Sequence, residues 1–253
     1  MELVISGEKY EALSDLHTHT RYSHGRGSIE DNVKAAISKG LKTIGISDHG
    51  PGHMAFGVSR RKLVEMRAEV SRLRRKYPEI EILLGIEANI IVPSGDLDIT
   101  PEEFDLFDFI CAGWHFGAAG GLKPKAIGNT FENFTRKSYE KASGKQIRLN
   151  TEVIISAVNT GRVMFLTHPG QRAPIDLLEV AARCSRTGTL LEINTSHMSL
   201  SPEELRAIAL EGARFIINSD AHWPERIGNF QPAADLLNEA GIDPALVENL
   251  RKV

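Results

Sequence analysis

The sequence predicts an α/β fold, and within that class a distorted barrel of seven β/α units, the (β/α)7 arrangement. Seven short apolar runs rich in β-branched residues recur along the 253 residues, as buried strands do. Most of the gaps between them carry helical patterns, which is typical of a parallel sheet covered by helices. No linker, repeat or low-complexity stretch interrupts the alternation, so we expect a single domain over residues 1–253.

The predicted strands leave two architectures open. They are expected at residues 12–16, 43–47, 82–86, 107–113, 163–167, 189–193 and 215–218. After the last strand we expect only helices, at 232–240 and 244–252, so an eight-stranded barrel is one strand short. A doubly wound open sheet is the alternative, but the seven-stranded barrel accounts for all of the elements.

The helix ends carry recognisable signals. Ser28 is expected to cap a helix that runs to Lys39, and apolar residues spaced three and four apart over 63–77 predict the next helix. Two further helix starts combine a capping hydroxyl, a proline at the first helical position and a glutamate, at Thr100 and Ser201.

Composition excludes several classes of protein. Hydrophobic residues make up 42% and charged residues 25%, as in an ordinary globular protein, and the formal charge is −3. No global positive field therefore draws the chain to nucleic acid or to a membrane. The acidic start lacks the features of a signal peptide, so we expect a cytoplasmic protein. Cys111 and Cys184 fall in a strand pattern and a helix pattern, where free buried thiols are expected.

The nine histidines are the unusual feature of the chain. Most of them, together with two carboxylates, fall at or just past the carboxyl ends of predicted strands: His17, His19, His24, His49, Glu87, His115, His168, Asp220 and His222. His53 and His197 lie outside this set. A lone histidine is usually a hydrogen-bonded core or loop residue, but nine such groups at one rim would repel or desolvate one another unless cations held them. The pattern predicts divalent metal ions, of which imidazole-rich ligation favours zinc, with iron or manganese as alternatives.

These motifs resemble the polymerase and histidinol phosphatase (PHP) family of metal-dependent phosphoesterases, and within it the stand-alone, YcdX-like members. The match rests on the segments at 15–20, 47–50, 85–89, 113–115, 167–170, 191–194 and 218–222. The resemblance implies a TIM-barrel-like fold with three metal ions at its C-terminal mouth. It assigns His17, His19, Glu87 and Asp220 to the first ion, Glu87, His115 and His168 to the second, and His24, His49 and His222 to the third.

A bridging carboxylate holds two ions about 3.5–4 Å apart, close enough to share a hydroxide that attacks phosphorus. We therefore expect hydrolysis of a small phosphorylated metabolite, a phosphomonoester, with Glu87 and Asp220 as catalytic residues. One alternative is a PHP-type exonuclease or phosphodiesterase, which the negative charge disfavours. Another is a two-metal amidohydrolase, which has no use for His24 and His49. A third alternative is a domain that has lost its activity and only binds a partner. Such a domain is expected to lack several metal ligands, and none is missing here.

Two further sets of residues are candidates around the metals. Side chains near the ligands that could orient them or line the mouth are Asp15, Asp48, Glu192 and Asn194. For Asp15 a plain barrel-core role is the alternative, and Asp48 could instead donate a proton. Cations that could contact the substrate phosphate are Arg26, Lys123, Lys125 and Arg172. The two lysines fall in the irregular, lid-like segment expected near 116–146, where a solvated surface loop is the alternative.

Overall fold

The computed structural model describes residues 1–118 and 142–253. The strands of this part are β1 (Glu2–Ile5), β2 (Glu8–Ala12), β3 (Ser14–Asp15), β4 (Thr43–Ile46), β5 (Glu81–Ile91), β6 (Asp96–Leu97), β7 (Phe109–Gly113), β8 (Phe165–Leu166), β9 (Leu190–Asn194), β10 (Phe215–Asn218) and β11 (Leu250–Lys252). Seven of them form a parallel sheet in the order β10-β9-β8-β7-β5-β4-β3, and β6 pairs antiparallel with β5. All seven predicted strands are present, although the first divides between β2 and β3 at Leu13.

The two ends of the seven-stranded sheet meet and nearly close a barrel. The Leu16 amide donates to Asn218 Oδ1 at 2.9 Å, and the His19 amide donates to the Ala221 carbonyl at 2.8 Å. Thr18 and Ala221 add an isolated parallel bridge just beyond β3 and β10. The predicted seven-stranded barrel is therefore confirmed.

Helices cover the outside of the barrel: α1 (Ile29–Ser38), α2 (Arg60–Lys76), α3 (Gly144–Val158), α4 (Leu177–Thr187), α5 (Pro202–Leu210) and α6 (Gln231–Ala240). Ser28 and Ser201 cap their helices, as predicted, and each forms a capping box. Thr100 also begins a capping box, but the element that follows, Pro101–Leu106, is a 3-10 helix. None of the helices in the described ranges is long and apolar enough to span a membrane.

The helix predicted at 244–252 is wrong. A 3-10 turn at Pro244–Leu246 is followed by strand β11, which pairs antiparallel with β2. Asn249 explains the change, because its side chain donates to the carbonyls of Ile217 and Ser14 and accepts from the Ile217 amide at 3.0 Å. These bonds fasten an extended backbone against the barrel, where a helix could not make them.

A three-stranded antiparallel sheet of β1, β2 and β11 lies at the bottom of the barrel, where the barrel strands begin. This sheet was not predicted. β1 and β2 form a hairpin whose two-residue turn, Ser6-Gly7, has positive φ at both positions (52° and 78°). Such a turn has the primed geometry that matches the twist of paired strands. The buried apolar residues of the hairpin are Leu3, Ile5 and Ala12.

Inside the barrel, an apolar cluster forms a floor beneath the C-terminal strand ends. Its buried members are Leu16, Phe109, Cys111, Phe165, Leu190 and Ile216. Two strand glycines make room for the Phe109 ring, since a Cβ at Gly45 or Gly85 would lie 2.9 Å or 2.2 Å from its Cζ atom. Cys111 and Cys184 are free and buried, as predicted.

Candidate metal centre

The structure brings all nine predicted metal ligands together at the C-terminal end of the barrel, which we call the mouth. A cavity of about 360 Å³ opens there and is lined by eight of them: His19, His24, His49, Glu87, His115, His168, Asp220 and His222. His17 is fully buried directly beneath, with its ring 5.1 Å from that of His19.

Imidazole nitrogens meet in three close pairs at the mouth. The Nε2 atoms of His17 and His19 are 3.2 Å apart, those of His115 and His168 are 3.3 Å apart, and those of His24 and His222 are 2.7 Å apart. Two nitrogens bound to one tetrahedral zinc at about 2.0–2.1 Å are separated by about 3.4 Å. The first two pairs match that spacing, and each pair belongs to a different one of the three predicted ligand groups.

Glu87 lies among all three groups. Its Oε1 is 3.1 Å from Nε2 of both His115 and His168 and 3.4 Å from Nε2 of His17. Its Oε2 is 2.9 Å from His49 Nδ1. A carboxylate with one oxygen facing two imidazole pairs has the geometry that a bridging ligand requires.

Asp220 completes the first group, because its Oδ1 is 3.1 Å from His19 Nε2 and 3.6 Å from His17 Nε2. The third group is compact as well. Ligand atoms of His19, His24, His49 and His222 all lie within 4.8 Å of one another, so His19 stands between the first and third groups.

Several buried polar atoms of this cluster make no hydrogen bond of good geometry: Nδ1 of His19, His24 and His49, Oε2 of Glu87 and Oδ1 of Asp220. Buried polar atoms are nearly always satisfied, so an orphaned group of imidazoles and carboxylates needs another partner. Divalent cations are partners that fit this donor set.

The electrostatics of the cluster favour the protonation states of metal ligands at His19, His24, His115 and Glu87, whereas neighbouring carboxylates outweigh burial and raise the pKa of His17 and His168. Burial lowers the pKa of His24 to about 3 and that of His115 to about 4, and it holds the pKa of His19 well below its usual range. Burial alone would raise the pKa of Glu87, but His115, His17 and His49 lower it well below its usual range. Neutral imidazoles and ionised carboxylates are the forms that bind metals.

Two of the predicted ligands have strained backbones. His168 and Asp220 have φ values of 31° and 50°, in the left-handed region that favours glycine. Residues other than glycine adopt this region at a cost, and such strain is concentrated at functional sites. Each lies two residues past the end of its barrel strand, β8 for His168 and β10 for Asp220.

Glu192 and Asn194 hold the ligands from below, on the one barrel strand that carries no predicted ligand. Glu192 Oε1 accepts from His17 Nδ1 at 2.7 Å, which leaves His17 Nε2 facing the cluster. Glu192 Oε2 accepts from the His168 amide at 2.8 Å. Asn194 Nδ2 donates to Asp220 Oδ2 at 3.1 Å. These contacts fix the direction of three predicted ligands at once.

Asp15 and Asp48 do not have the contacts that the sequence suggested. Asp15 accepts from the amides of Ser219 and Gly228 at 3.1 and 2.9 Å, so it fastens the loop around Asp220 and orients no imidazole among the described residues. Asp48 accepts from the amide and hydroxyl of Thr20 at 2.7 and 2.6 Å and from the Ser23 hydroxyl. Asp48 is therefore enclosed by the loop that leads to His24, and a role for it as a proton donor stays a prediction.

Two supporting residues were missed. Asn89 Oδ1 accepts from His115 Nδ1 at 2.9 Å, and Asp98 accepts from Asn89 Nδ2 at 2.5 Å and from the Gly52 amide at 2.7 Å. Asn89 is two residues after Glu87 on β5, so the alternation of side chains along a strand was a usable signal. Asp98 gave no local signal, because it returns to the mouth only through the hairpin of β5 and β6.

The remaining candidates differ in position. Arg172 lines the cavity, with its guanidinium 5.8 Å from the Phe116 ring, whereas Arg26 is exposed and does not line it. Lys123 and Lys125 lie outside the described residues, as does most of the predicted lid-like segment. Its last residues are not irregular, since α3 begins at Gly144.

His53 and His197 both line the cavity although neither was predicted to bind metal. His53 Nδ1 accepts from the Phe56 amide at 3.1 Å, which occupies that nitrogen. His197 Nε2 is 3.6 Å from Asp220 Oδ2.

Solved structures and curated proteins resemble this chain over nearly its whole length. A histidinol phosphate phosphatase from Lactococcus lactis, crystallised with zinc, L-histidinol and phosphate, superposes with a TM-score of 0.61 at 18% identity over 92% of this chain and 95% of that one. A protein from Listeria monocytogenes gives a TM-score of 0.63 at 16% identity, over 87% of this chain and 99% of its own. Both show the barrel fold.

A curated protein is more similar to this chain in sequence than these two structures are. A protein from Shewanella sediminis named "Probable phosphatase" is 32% identical over 238 residues, which is 90% of this chain and 85% of that protein. The PHP domain matches residues 15–196, which span the strand ends from Asp15 to beyond Asn194. Because the domain match covers more than half of the chain and the relative is 32% identical over 90% of it, the chain belongs to the PHP family.

Proposed function

We propose that this PHP protein, a hydrolase of phosphate esters, cleaves small phosphomonoesters with three divalent ions bound at the mouth, zinc being the favoured metal. The observation that carries the proposal is the set of three close imidazole pairs, each in a different ligand group, around one ionised glutamate. In this assignment His17, His19, Glu87 and Asp220 hold one ion, Glu87, His115 and His168 a second, and His24, His49 and His222 a third.

When bound, such ions lower the pKa of water and neutralise the oxygens of a phosphoryl group. In the reaction a water oxygen bonds to phosphorus, the bond from phosphorus to the ester oxygen breaks, and that oxygen leaves with a proton as an alcohol. The chain itself supplies orientation. Glu192 and Asn89 fix two imidazoles through their Nδ1 atoms, at 2.7 and 2.9 Å, so that their Nε2 atoms face the cavity.

Arg172 is the described cation best placed to contact the substrate phosphate. It lines the cavity on the side of His168, and a planar guanidinium can bind two phosphate oxygens at once. A monoester dianion gains more from such a cation than a diester monoanion does. The cavity of about 360 Å³ also suits a small molecule. The Lactococcus lactis enzyme, whose fold this chain shares, is described with histidinol and phosphate bound.

Elemental analysis and a paired assay test the proposal. We expect about three zinc ions per chain after zinc loading, and p-nitrophenyl phosphate hydrolysed at least about tenfold faster than bis-p-nitrophenyl phosphate. Two ions or fewer would favour an amidohydrolase-type site instead. A preference for the diester, or for single-stranded DNA, would favour the phosphodiesterase alternative.

A matched pair of variants tests the third ion. His24→Ala should lose one ion per chain, because His24 Nε2 faces His222 Nε2 across the third group. His53→Ala removes an imidazole from the same cavity but should keep all three ions, because its Nδ1 already accepts backbone hydrogen bonds. Equal metal contents in the two variants would contradict the assignment of His24.

A further inference from the structure

The rim of the mouth differs on its two sides. Beside the His24 and His222 pair the rim is apolar. The Phe56 ring stacks on the His24 ring at 4.4 Å, and the Trp223 ring lies 6.4 Å from that of His222. Beside His168 the rim carries the cation Arg172, whose guanidinium lies 5.8 Å from the Phe116 ring. A substrate bound across the mouth therefore meets an apolar wall at one end and a cation at the other.

In the described part of the chain the apolar wall is largely exposed. Met54 and Phe56 line the cavity with relative exposures of 79% and 42%, and Trp223 is 52% exposed. Apolar side chains gathered at the rim of a polar cavity are typical of a surface that a ligand covers. Covering an aromatic ring and a thioether favours another aromatic ring, which gains stacking and sulfur contacts in addition to burial.

The charges of the cavity indicate what that ring carries. Among the described lining residues the carboxylates are Glu87 and Asp220, and both belong to the predicted ligand set. A cationic group on the substrate would find no carboxylate left to pair with in this part of the cavity. The volume of about 360 Å³ has room for a phosphate and a single ring rather than for a folded partner.

We propose, on the basis of the phosphomonoesterase function above, that the substrate is the phosphate monoester of a short primary alcohol that carries an aromatic ring and no cationic group. The ring lies against Phe56 and Met54, and the phosphate faces Arg172. On hydrolysis a water oxygen bonds to phosphorus, the bond from phosphorus to the ester oxygen breaks, and the arylmethyl alcohol leaves with a proton on that oxygen.

Four substrates test this with the zinc-loaded protein: benzyl phosphate, cyclohexylmethyl phosphate, glycerol 1-phosphate and L-histidinol phosphate. All are esters of primary alcohols, so differences in kcat/KM report recognition of the organic group. We expect benzyl phosphate to exceed glycerol 1-phosphate and L-histidinol phosphate by about tenfold, with cyclohexylmethyl phosphate between them.

Variants locate the contact. Phe56→Ala should lower kcat/KM for benzyl phosphate about tenfold and that for glycerol 1-phosphate less than about twofold, whereas Phe56→Leu should retain the cyclohexylmethyl rate better than the benzyl rate. Because Phe56 touches His24, zinc content is measured in each variant, and Met54→Ala repeats the test at a residue with a largely exposed side chain. Leu210→Ala, an 88% exposed apolar residue on α5 outside the cavity, is the matched control and should change none of the rates.

The outcomes separate the two proposals. Comparable rates for benzyl and glycerol esters, a preference for L-histidinol phosphate, or equal losses on every substrate in the Phe56 and Met54 variants would overturn the aromatic-ring assignment and leave the phosphomonoesterase proposal standing. Hydrolysis of none of the four esters would overturn both.

Discussion

The two ends of the barrel place their charged residues in opposite environments. At the bottom, where the β1, β2 and β11 sheet lies, ion pairs such as Arg251 to Glu11 at 2.5 Å and Lys252 to Glu8 at 2.6 Å stay partly in water. At the mouth, Glu87 and Asp220 are almost fully buried among imidazoles. Exposed pairs contribute little to stability, whereas buried charges cost much unless they are compensated. The contrast supports the proposal that the mouth carries the function, because its buried charges need compensating cations, whereas the charges at the bottom do not.

Replacing Glu87 by Gln should have the largest effect at the mouth. The change keeps the shape of the side chain but removes the negative charge that lies 3.1 Å from two imidazoles. We expect kcat to fall about a thousandfold, together with loss of at least one ion per chain. Turnover and zinc content of the purified variant measure this, and near-normal turnover would show that Glu87 is not a bridging ligand.

Glu192→Gln should have the next largest effect, since it weakens the support of His17 without removing a ligand. We expect zinc affinity to fall about tenfold to a hundredfold, as is typical when the partner of a metal-binding histidine is changed. Competition with a chromophoric chelator measures the affinity. Glu248→Gln, which changes an exposed glutamate paired with Arg214, is the control and should leave the affinity unchanged.

Arg172→Gln should act on substrate rather than on metal. We expect the KM for a phosphomonoester to rise about tenfold with zinc content intact. Arg162→Gln provides a matched comparison, because Arg162 also lies over an aromatic ring, that of Phe104 at 5.2 Å, but does not line the cavity. If the two variants had the same KM, the assignment of Arg172 to the phosphate would be wrong.

Arg251→Ala should have the smallest effect, because it alters only the bottom of the barrel. The Arg251 side chain is 62% exposed and its partner Glu11 is 23% exposed. We expect the free energy of unfolding to fall by less than about 1 kcal/mol, with kcat unchanged. Urea denaturation measures the change. A much larger loss of stability would contradict the view that exposed ion pairs at the bottom contribute little.

The sequence predicted the elements whose signal is local. The barrel strands were recognisable from their apolar runs, and the ligand candidates from their positions at strand ends. Elements that depend on distant pairing were missed: β11 pairs with β2, and Asn249 just before it bonds to Ile217 and Ser14. The contact between Asp98 and Asn89 forms because the β5–β6 hairpin folds back, and no periodic pattern in the sequence indicates it. That one PHP domain spans residues 1–253 stays a prediction, as does a cytoplasmic location.

The apolar floor of the barrel has a kinetic consequence. Phe109 packs against Gly45 and Gly85 directly below the ligand cluster, and Phe165 lies 6.4 Å from His17. A hydrated ion cannot pass through such a layer, so ions exchange through the same opening that admits the substrate. As far as residues 1–118 and 142–253 show, substrate and metal therefore share the opening at the mouth, and a bound phosphate should slow the escape of the ions beneath it.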